Sequence, residues 1–187
     1  DGSLVNGGHG LQPSLIDRIQ DRYGRTVFRH DPRPCPECRA FEWANQAVPT
    51  IEDQRPAVTD PHSAYQIVSM LEGVVQRGTG KAVKAIDKPI AGKTGTSNDS
   101  KDTWFIGFAP DLVVGVFVGF DEPKSLGARE TGGGVAAPIF RDFMAEALAD
   151  APATPFRIPP GILLVRVNAQ TGHPADGSGE HIILEAF

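Results

Sequence analysis

The sequence contains no long apolar run. None of its apolar stretches approaches the roughly 20 residues that a membrane-spanning helix needs, and no secretory leader is visible at its N-terminus. Basic residues are not in excess either, because 18 Lys and Arg stand against 23 Asp and Glu for a formal net charge of −5. Proteins that bind nucleic acid carry a basic surface, so a nucleic-acid partner is not expected.

Cysteine is almost absent, since Cys35 and Cys38 form a single CxxC pair. In an oxidising compartment this pair would be a small local disulfide, and in the cytosol it would be half of a zinc site or a redox pair. A zinc site needs two more ligands, and only His30 is near, with His62 further on. The surrounding prolines favour a surface loop, and no metal site is predicted.

The length of 187 residues and the mass of 20.0 kDa suffice for one ordinary domain with a core. The chain begins without Met and ends on Phe187 directly after an apolar run, so we expect a fragment of a longer protein. One domain is predicted over residues 1–149, with a loop-rich excursion at 31–58. Residues 150–187 are predicted to form a linker and a small C-terminal extension.

The spacing of apolar residues predicts an α+β fold with helices packed on an antiparallel sheet. Asp60 is a good N-cap and Pro61 suits the first helical position of a helix that Gly78 ends. A second helix is predicted over 135–148, with its apolar face including Ile139, Phe140, Phe143 and Met144. The remaining elements are a three-stranded meander at 89–96, 104–108 and 112–120, a terminal hairpin at 162–184 and, at 14–29, a hairpin that we favour over a helix.

The segment Lys93–Thr96, Lys-Thr-Gly-Thr, carries the chemistry. Lys-Thr-Gly on a strand is one of three motifs of serine acyltransferases that react with penicillin. Strand alternation puts Lys93 and Gly95 on one face and Thr94 and Thr96 on the other. Lys93 would place a positive charge beside the catalytic centre, and Gly95 would let a substrate backbone lie close to the strand.

The two threonines complete this candidate site. The hydroxyls of Thr94 and Thr96 can donate to a substrate carboxylate, and the backbone N–H of Thr96 can point at a developing oxyanion. We therefore predict Lys93 and Thr96 as catalytic residues, and Thr94, Gly95 and Thr96 as substrate-binding residues. No cofactor is expected.

The order of motifs around this segment resembles the transpeptidase domain of class A penicillin-binding proteins. The family pattern is a Lys-Thr-Gly-Thr strand, a strand with Trp-Phe-x-Gly, a third strand that ends in Gly-aromatic-Asp, and a helix with Ala-Ala-Pro. The matching residues here are Lys93–Thr96, Trp104–Gly107, Gly119–Asp121 and Ala136–Pro138, and upstream Asn6–Gly8, Leu15–Gly24 and Gly78–Gly80 resemble further family segments. The resemblance covers residues 4 to about 148.

This resemblance implies a penicillin-binding and serine β-lactamase-like fold, here incomplete. It implies a D,D-transpeptidase that joins peptidoglycan stem peptides through a serine acyl-enzyme and is acylated by β-lactam antibiotics. It also implies a position at the periplasmic face of the bacterial inner membrane, with the membrane anchor outside this chain.

The first two family motifs are missing. No serine of the chain has Lys three residues on, and no Ser-x-Asn occurs. In the family both motifs precede the Asn-Gly-Gly segment, so they are expected before residue 1. Acyl transfer needs a nucleophile, a base and an oxyanion hole together. The chain alone is therefore expected to be inert, and the missing half, in the parent chain or as a second chain, would complete the site.

Two alternatives stay open at this point. The first is a serine β-lactamase or D,D-carboxypeptidase of the same fold, and the second is a non-catalytic module that binds peptidoglycan. Trp104 is predicted to be a core residue rather than a platform for substrate.

Overall fold

The structure is a computed structural model of the chain. It describes residues 7–31, 33, 35, 38, 42, 44, 45, 47, 49, 51, 53–177, 179 and 181–187. Asn6 of the Asn-Gly-Gly segment and part of the 31–58 excursion lie outside the described residues.

A three-stranded antiparallel sheet forms the centre of the fold. Its strands are β3 (Ala91–Thr96), β4 (Asp102–Ala109) and β5 (Leu112–Gly119), in the order β3-β4-β5. The tight turn at Pro110 and Asp111 joins β4 to β5, and a short 3₁₀ helix, Asn98–Ser100, joins β3 to β4. The predicted meander is confirmed, and β4 lies in its middle.

The back face of the sheet packs on α2 (Ala137–Ala147). Phe105 of β4 and Phe140 of α2 are both fully buried, and their ring centroids lie 4.7 Å apart. The 3₁₀ helix Lys81–Ile86 adds Val83 to this core. The predicted apolar face of α2 is buried only in part, however, since Ile139 and Phe143 are exposed.

The front face of the sheet packs on α1 (Pro61–Gln76) at one end only. Asp60 caps α1 as predicted, because its Oδ1 accepts a hydrogen bond from the Ser63 N–H at 2.9 Å. Between α1 and the sheet lies a buried cluster, called here the front cluster, which consists of Tyr65, Val68, Ala91, Phe108 and Phe156.

The prediction that Trp104 is a core residue is wrong. Its side chain is 42% exposed, since α1 covers the Ala91 and Phe108 end of the front face and leaves the Trp104 end open.

The C-terminal residues pack on α1 and the front cluster. The strands β6 (Leu164–Asn168) and β7 (Ile182–Ala186) form the predicted antiparallel hairpin. Phe156, ahead of this hairpin, is buried edge-on against Phe108, with ring centroids 5.6 Å apart. Arg77 at the end of α1 forms an ion pair of 2.9 Å with Glu185 of β7.

The N-terminal residues form the hairpin that we favoured, from β1 (Arg18–Gln20) and β2 (Thr26–Arg29), so the helical alternative is wrong. Cys35 and Cys38 form a disulfide, which is the first of the three possibilities that the sequence left open. No helix within the described ranges has the length and apolarity that crossing a membrane would require.

Candidate active-site strand

The Lys-Thr-Gly-Thr segment is most of β3, which lies at the edge of the sheet. Among the described residues only β4 pairs with it. Lys93 lies opposite Ile106, and Gly95 opposite Trp104, so the two residues share the front face as the alternation predicted. Backbone groups on the outer edge of such a strand are available to an extended peptide.

Lys93 presents an uncompensated positive charge on this face. Its side chain is exposed, and its Nζ donates a hydrogen bond to the carbonyl oxygen of Thr94 at 2.8 Å. Within the part of the chain that the structure describes, no carboxylate forms an ion pair with Lys93. The ammonium group is therefore free to attract an anionic ligand.

Gly95 leaves its place on the front face of the strand without a side chain. A Cβ at this position would lie 3.2 Å from the Cβ of Trp104 and 3.9 Å from its Cγ. A side chain here would therefore rise beside the indole and cover the backbone of β3. The glycine leaves that backbone accessible from the front.

Thr96 is hydrogen-bonded to a glycine-rich turn behind the strand. Its Oγ1 accepts a hydrogen bond from the Gly132 N–H at 3.0 Å. Because the oxygen accepts, the hydroxyl hydrogen is still free to donate to another group. Gly132 begins a π-helical turn, Gly132–Ala136, that leads directly into α2, so helical structure begins three residues before the predicted start at 135.

The turn can approach β3 so closely because it begins with glycine. A Cβ on Gly132 would lie 2.5 Å from the carbonyl oxygens of Gly95 and Trp104. This distance is shorter than any that real Cβ atoms show, so only glycine fits here. Thr131 caps the turn, since its Oγ1 accepts from the Gly134 N–H at 3.2 Å. The turn therefore supports both Gly95 and Thr96 from behind.

Thr94 is held by a second glycine-rich segment. Its Oγ1 lies 2.7 Å from the Oγ1 of Thr79, which stands between Gly78 and Gly80 after the end of α1. A Cβ on Gly133 would lie 2.6 Å from the carbonyl oxygen of Thr79, so the two glycine-rich segments also contact each other.

Sequence reasoning named the four residues of β3 and missed Thr79 and Gly132 as their supports. Thr79 stands in the segment Gly78–Gly80, which resembles a family segment, and Gly132 begins the run Gly132–Gly134. The available signal was the density of glycine at two places far apart in the chain. Without the fold, nothing indicated that both places meet β3.

The comparisons with known proteins agree with this architecture. A family profile described as "Penicillin binding protein transpeptidase domain" matches residues 2–145. The chain therefore belongs to the penicillin-binding protein transpeptidase domain family. The resemblance to the class A proteins and the predicted α+β fold are both confirmed.

The similar proteins are penicillin-binding proteins 1A. The chain is 46% identical to that of Rickettsia conorii, covering 98% of this chain and 23% of the relative, and 38% identical to that of Pseudomonas aeruginosa, covering 98% and 26%. The crystal structure of penicillin-binding protein 1A from Haemophilus influenzae matches with a TM-score of 0.76 at 30% identity, covering 99% of this chain and 30% of that one. The chain thus spans about a quarter of the length of its curated relatives.

Proposed function

We propose that this chain is the Lys-Thr-Gly-Thr part of a peptidoglycan D,D-transpeptidase. In the complete enzyme a serine attacks the penultimate D-Ala carbonyl carbon of a stem peptide, the peptide C–N bond breaks, and D-Ala leaves with the proton that its amine needs. An amine of a neighbouring stem then attacks the ester, which forms the cross-link and releases the serine. A β-lactam acylates the same serine when its ring amide bond opens.

One observation carries this proposal. On the front of the edge strand β3 lie an uncovered glycine and a lysine that has no carboxylate partner among the described residues, while Thr79 and Gly132 hold the two threonines of the strand. One wall of an acyl-transfer site needs this arrangement. The positive charge and the accessible backbone are already in place, so neither has to move when the reaction occurs.

Each residue of the strand then has a role. Lys93 attracts the substrate carboxylate and favours the neutral form of neighbouring amines. Thr94, Gly95 and Thr96 bind the extended end of the donor stem, and the Thr96 N–H donates to the oxyanion of the tetrahedral intermediate. Removing one such donor costs about 3–4 kcal/mol of transition-state stabilisation.

The serine and its activating base come from outside this sequence. They belong to the remaining part of the transpeptidase domain, in the parent chain or as a second chain, and the partners of the complete site are peptidoglycan stem peptides and β-lactams. Residues 1–149 form the transpeptidase part and residues 150–187 an extension.

The site acts at the periplasmic face of the inner membrane, with the anchor outside this chain. The Cys35–Cys38 disulfide supports an oxidising compartment of this kind.

A chimera tests the proposal. In the chimera, this chain replaces the region that it matches in the transpeptidase domain of the Rickettsia conorii relative. The chimera is incubated with fluorescent penicillin, and its intact mass is measured by mass spectrometry. We expect a mass increase of one opened penicillin, no label on the isolated chain, and cross-linked product from a donor stem and an amine acceptor. A folded chimera that is never acylated would contradict the proposal, fast release of opened penicillin would indicate a β-lactamase, and D-Ala release without cross-linking would indicate a carboxypeptidase.

A further inference from the structure

A cleft of about 420 Å³ lies at the start of α1, where segments from distant parts of the chain meet. The helix contributes Tyr65 and Val68, the chain before the helix contributes His9 and Arg55, and residues 156–160 complete the lining. This volume falls in the range of about 300–1,000 Å³ that small-molecule sites have. None of the described lining residues belongs to β3, so the proposed roles of that strand do not account for the cleft.

Hydrogen bonds between the contributing segments fix the two sides of the cleft. On the C-terminal side, His62 Nε2 donates to the carbonyl oxygen of Pro160 at 2.7 Å, which joins residues 156–160 to the first turn of α1. On the N-terminal side, His9 Nδ1 donates to the carbonyl oxygen of Arg55 at 3.1 Å. A ligand would therefore meet a largely preformed site.

Tyr65 brings an unused hydroxyl to the cleft. The residue is only 9% exposed, and its hydroxyl makes no hydrogen bond with any described residue. Its oxygen is still accessible, because Thr103 Oγ1 is the one fully enclosed side-chain polar atom without a partner among the described residues. Burial, followed by the negative charge of Glu72, raises the pKa of the Tyr65 hydroxyl above its ordinary value of 10.0. The hydroxyl therefore stays protonated at neutral pH and can donate to a ligand.

The charges that line the cleft favour an anion. Among the described lining residues two arginines stand against one aspartate, and Asp53 is paired with Arg55, whose Nε donates to its Oδ1 at 2.8 Å. Arg157 has no carboxylate partner among the described residues. Its guanidinium group can donate two parallel hydrogen bonds to a carboxylate. The surplus positive charge of the cleft therefore lies on Arg157.

Most of the remaining lining is apolar. Val68, Phe156, Pro159 and Pro160 contribute carbon atoms beside the polar groups, and Val68 and Phe156 are fixed in the front cluster. A ligand that fills the cleft therefore needs an apolar part as well as an anionic group. One guanidinium group and one hydroxyl suit the two oxygens of a carboxylate.

We infer that this cleft, called here the Tyr65 cleft, is a binding site for a small carboxylate ligand with an apolar body. Arg157 binds the carboxylate, Tyr65 donates to one of its oxygens, and Val68 and Phe156 contact the apolar part. Residues 156–160 lie beyond the part of the chain that matches the family profile, which ends at residue 145. The site thus depends on the C-terminal extension, and it does not rest on the proposed function of β3.

Ligand-observed NMR titration of the chimera tests this inference with three probes. N-acetylphenylalanine has a carboxylate and an apolar body, its amide lacks the charge, and acetate lacks the apolar body. We expect the acid to bind at least about 10-fold more tightly than either of the others, because the amide loses a charged hydrogen bond and acetate loses the apolar contact. No binding of the acid, or equal Kd values for the acid and either analogue, would overturn the inference.

Two conservative substitutions locate the bound probe. Tyr65→Phe removes only the hydroxyl and Arg157→Gln removes the charge, and each should weaken the binding of N-acetylphenylalanine at least about 5-fold. Tyr23→Phe and Arg166→Gln are the matched controls, because both side chains are exposed and neither lines the cleft. Circular dichroism verifies the fold of all four variants. If the two cleft variants bind the probe as tightly as the two controls do, the probe lies elsewhere and the inference is wrong.

Penicillin separates this inference from the proposed function. A chimera that has been acylated by penicillin should bind N-acetylphenylalanine with an unchanged Kd, because the acyl group does not occupy the Tyr65 cleft. Loss of binding after acylation would place the probe in the acyl-transfer site and overturn the inference. A chimera that is never acylated, yet binds the probe through Tyr65 and Arg157, would refute the proposed function and leave the Tyr65 cleft standing.

Discussion

Thr96 and Gly132 are joined by a hydrogen bond of 3.0 Å, from the glycine N–H to the threonine hydroxyl oxygen, although 36 positions separate them in the chain. This contact couples the proposed catalytic strand to the turn that begins α2. The strand and the core helix are therefore one structural unit, and the orientation of Thr96 depends on how closely the turn can approach.

The first prediction concerns that approach. Gly132→Ala would bring a Cβ to 2.5 Å from two backbone oxygens, so the turn must move away from β3. We expect a loss of about 1–3 kcal/mol in the free energy of unfolding, as for other overpacked sites, and weaker penicillin acylation of the chimera. Gly134→Ala is the control, because the nearest atom to its Cβ would be the Thr131 Oγ1 at 3.5 Å. Equal urea midpoints for the two variants would refute the explanation.

The second prediction concerns the core behind β4. Phe105→Ala empties a fully buried position that packs on Phe140, and we expect it to lower the free energy of unfolding by about 3–5 kcal/mol. Phe143→Ala removes the same atoms from a ring that is 52% exposed in this chain, so its effect on the isolated chain should be much smaller. Urea unfolding followed by circular dichroism compares the two, and similar losses would mean that the assigned core is wrong.

The third prediction concerns Thr103, which pairs with Thr96 across the sheet. Thr103 is fully buried, and its Oγ1 has no hydrogen-bond partner among the described residues. A buried hydroxyl without a partner is destabilising. Thr103→Val keeps the shape and removes the hydroxyl, so the free energy of unfolding should rise by about 1 kcal/mol. Thr103→Ser, which keeps the hydroxyl and loses the methyl group, should be destabilising, and a loss of stability in Thr103→Val would reveal a partner for the hydroxyl.

The fourth prediction is a dependence of stability on pH. Burial raises the pKa of the Glu72 carboxyl on α1 above its ordinary value of 4.5. The folded state then holds this proton more tightly than the unfolded state does, so the contribution of Glu72 to stability falls as pH rises through the folded pKa. The amide that Glu72→Gln introduces does not ionise, so this variant does not lose stability in this way. The difference in the free energy of unfolding between Glu72→Gln and the unsubstituted chain should be small at pH 4 and should grow in favour of the variant towards pH 7.

The charge-matched control for this prediction is Glu146→Gln, at an exposed position of α2. Urea midpoints of the three proteins at several pH values provide the comparison. An advantage of Glu72→Gln that stays constant with pH, or that shrinks as pH rises, would contradict the direction of the pKa shift.

The sequence was sufficient to predict features that depend on local signals. α1 begins where Asp60 and Pro61 predicted it, because capping is decided within one turn of helix. The second and third central strands follow from their apolar runs and from the turn at Pro110 and Asp111. The four residues of the candidate site lie together because they are consecutive on β3.

The features that were missed depend on which segments meet in space. Trp104 has the pattern of a core residue, yet its burial depends on whether another element covers the front of the sheet, and α1 does so at one end only. The support of Thr94 by Thr79 joins segments that no local pattern relates. The π-helical turn at Gly132 likewise reflects its close packing on β3, which single-sequence periodicity does not encode.

The central claim is that β3 forms one wall of the acyl-transfer site, and Lys93→Ala in the chimera tests it most directly. The measurement is the rate of acylation by fluorescent penicillin, beside Lys84→Ala at an exposed position of the 3₁₀ helix as a charge-matched control. We expect Lys93→Ala to lower the rate by at least about 100-fold, as removal of one preorganised stabilising group does in other active sites. The circular dichroism spectrum and the rate of Lys84→Ala should stay unchanged. Near-normal acylation of a folded Lys93→Ala chimera would mean that β3 is not a wall of the acyl-transfer site.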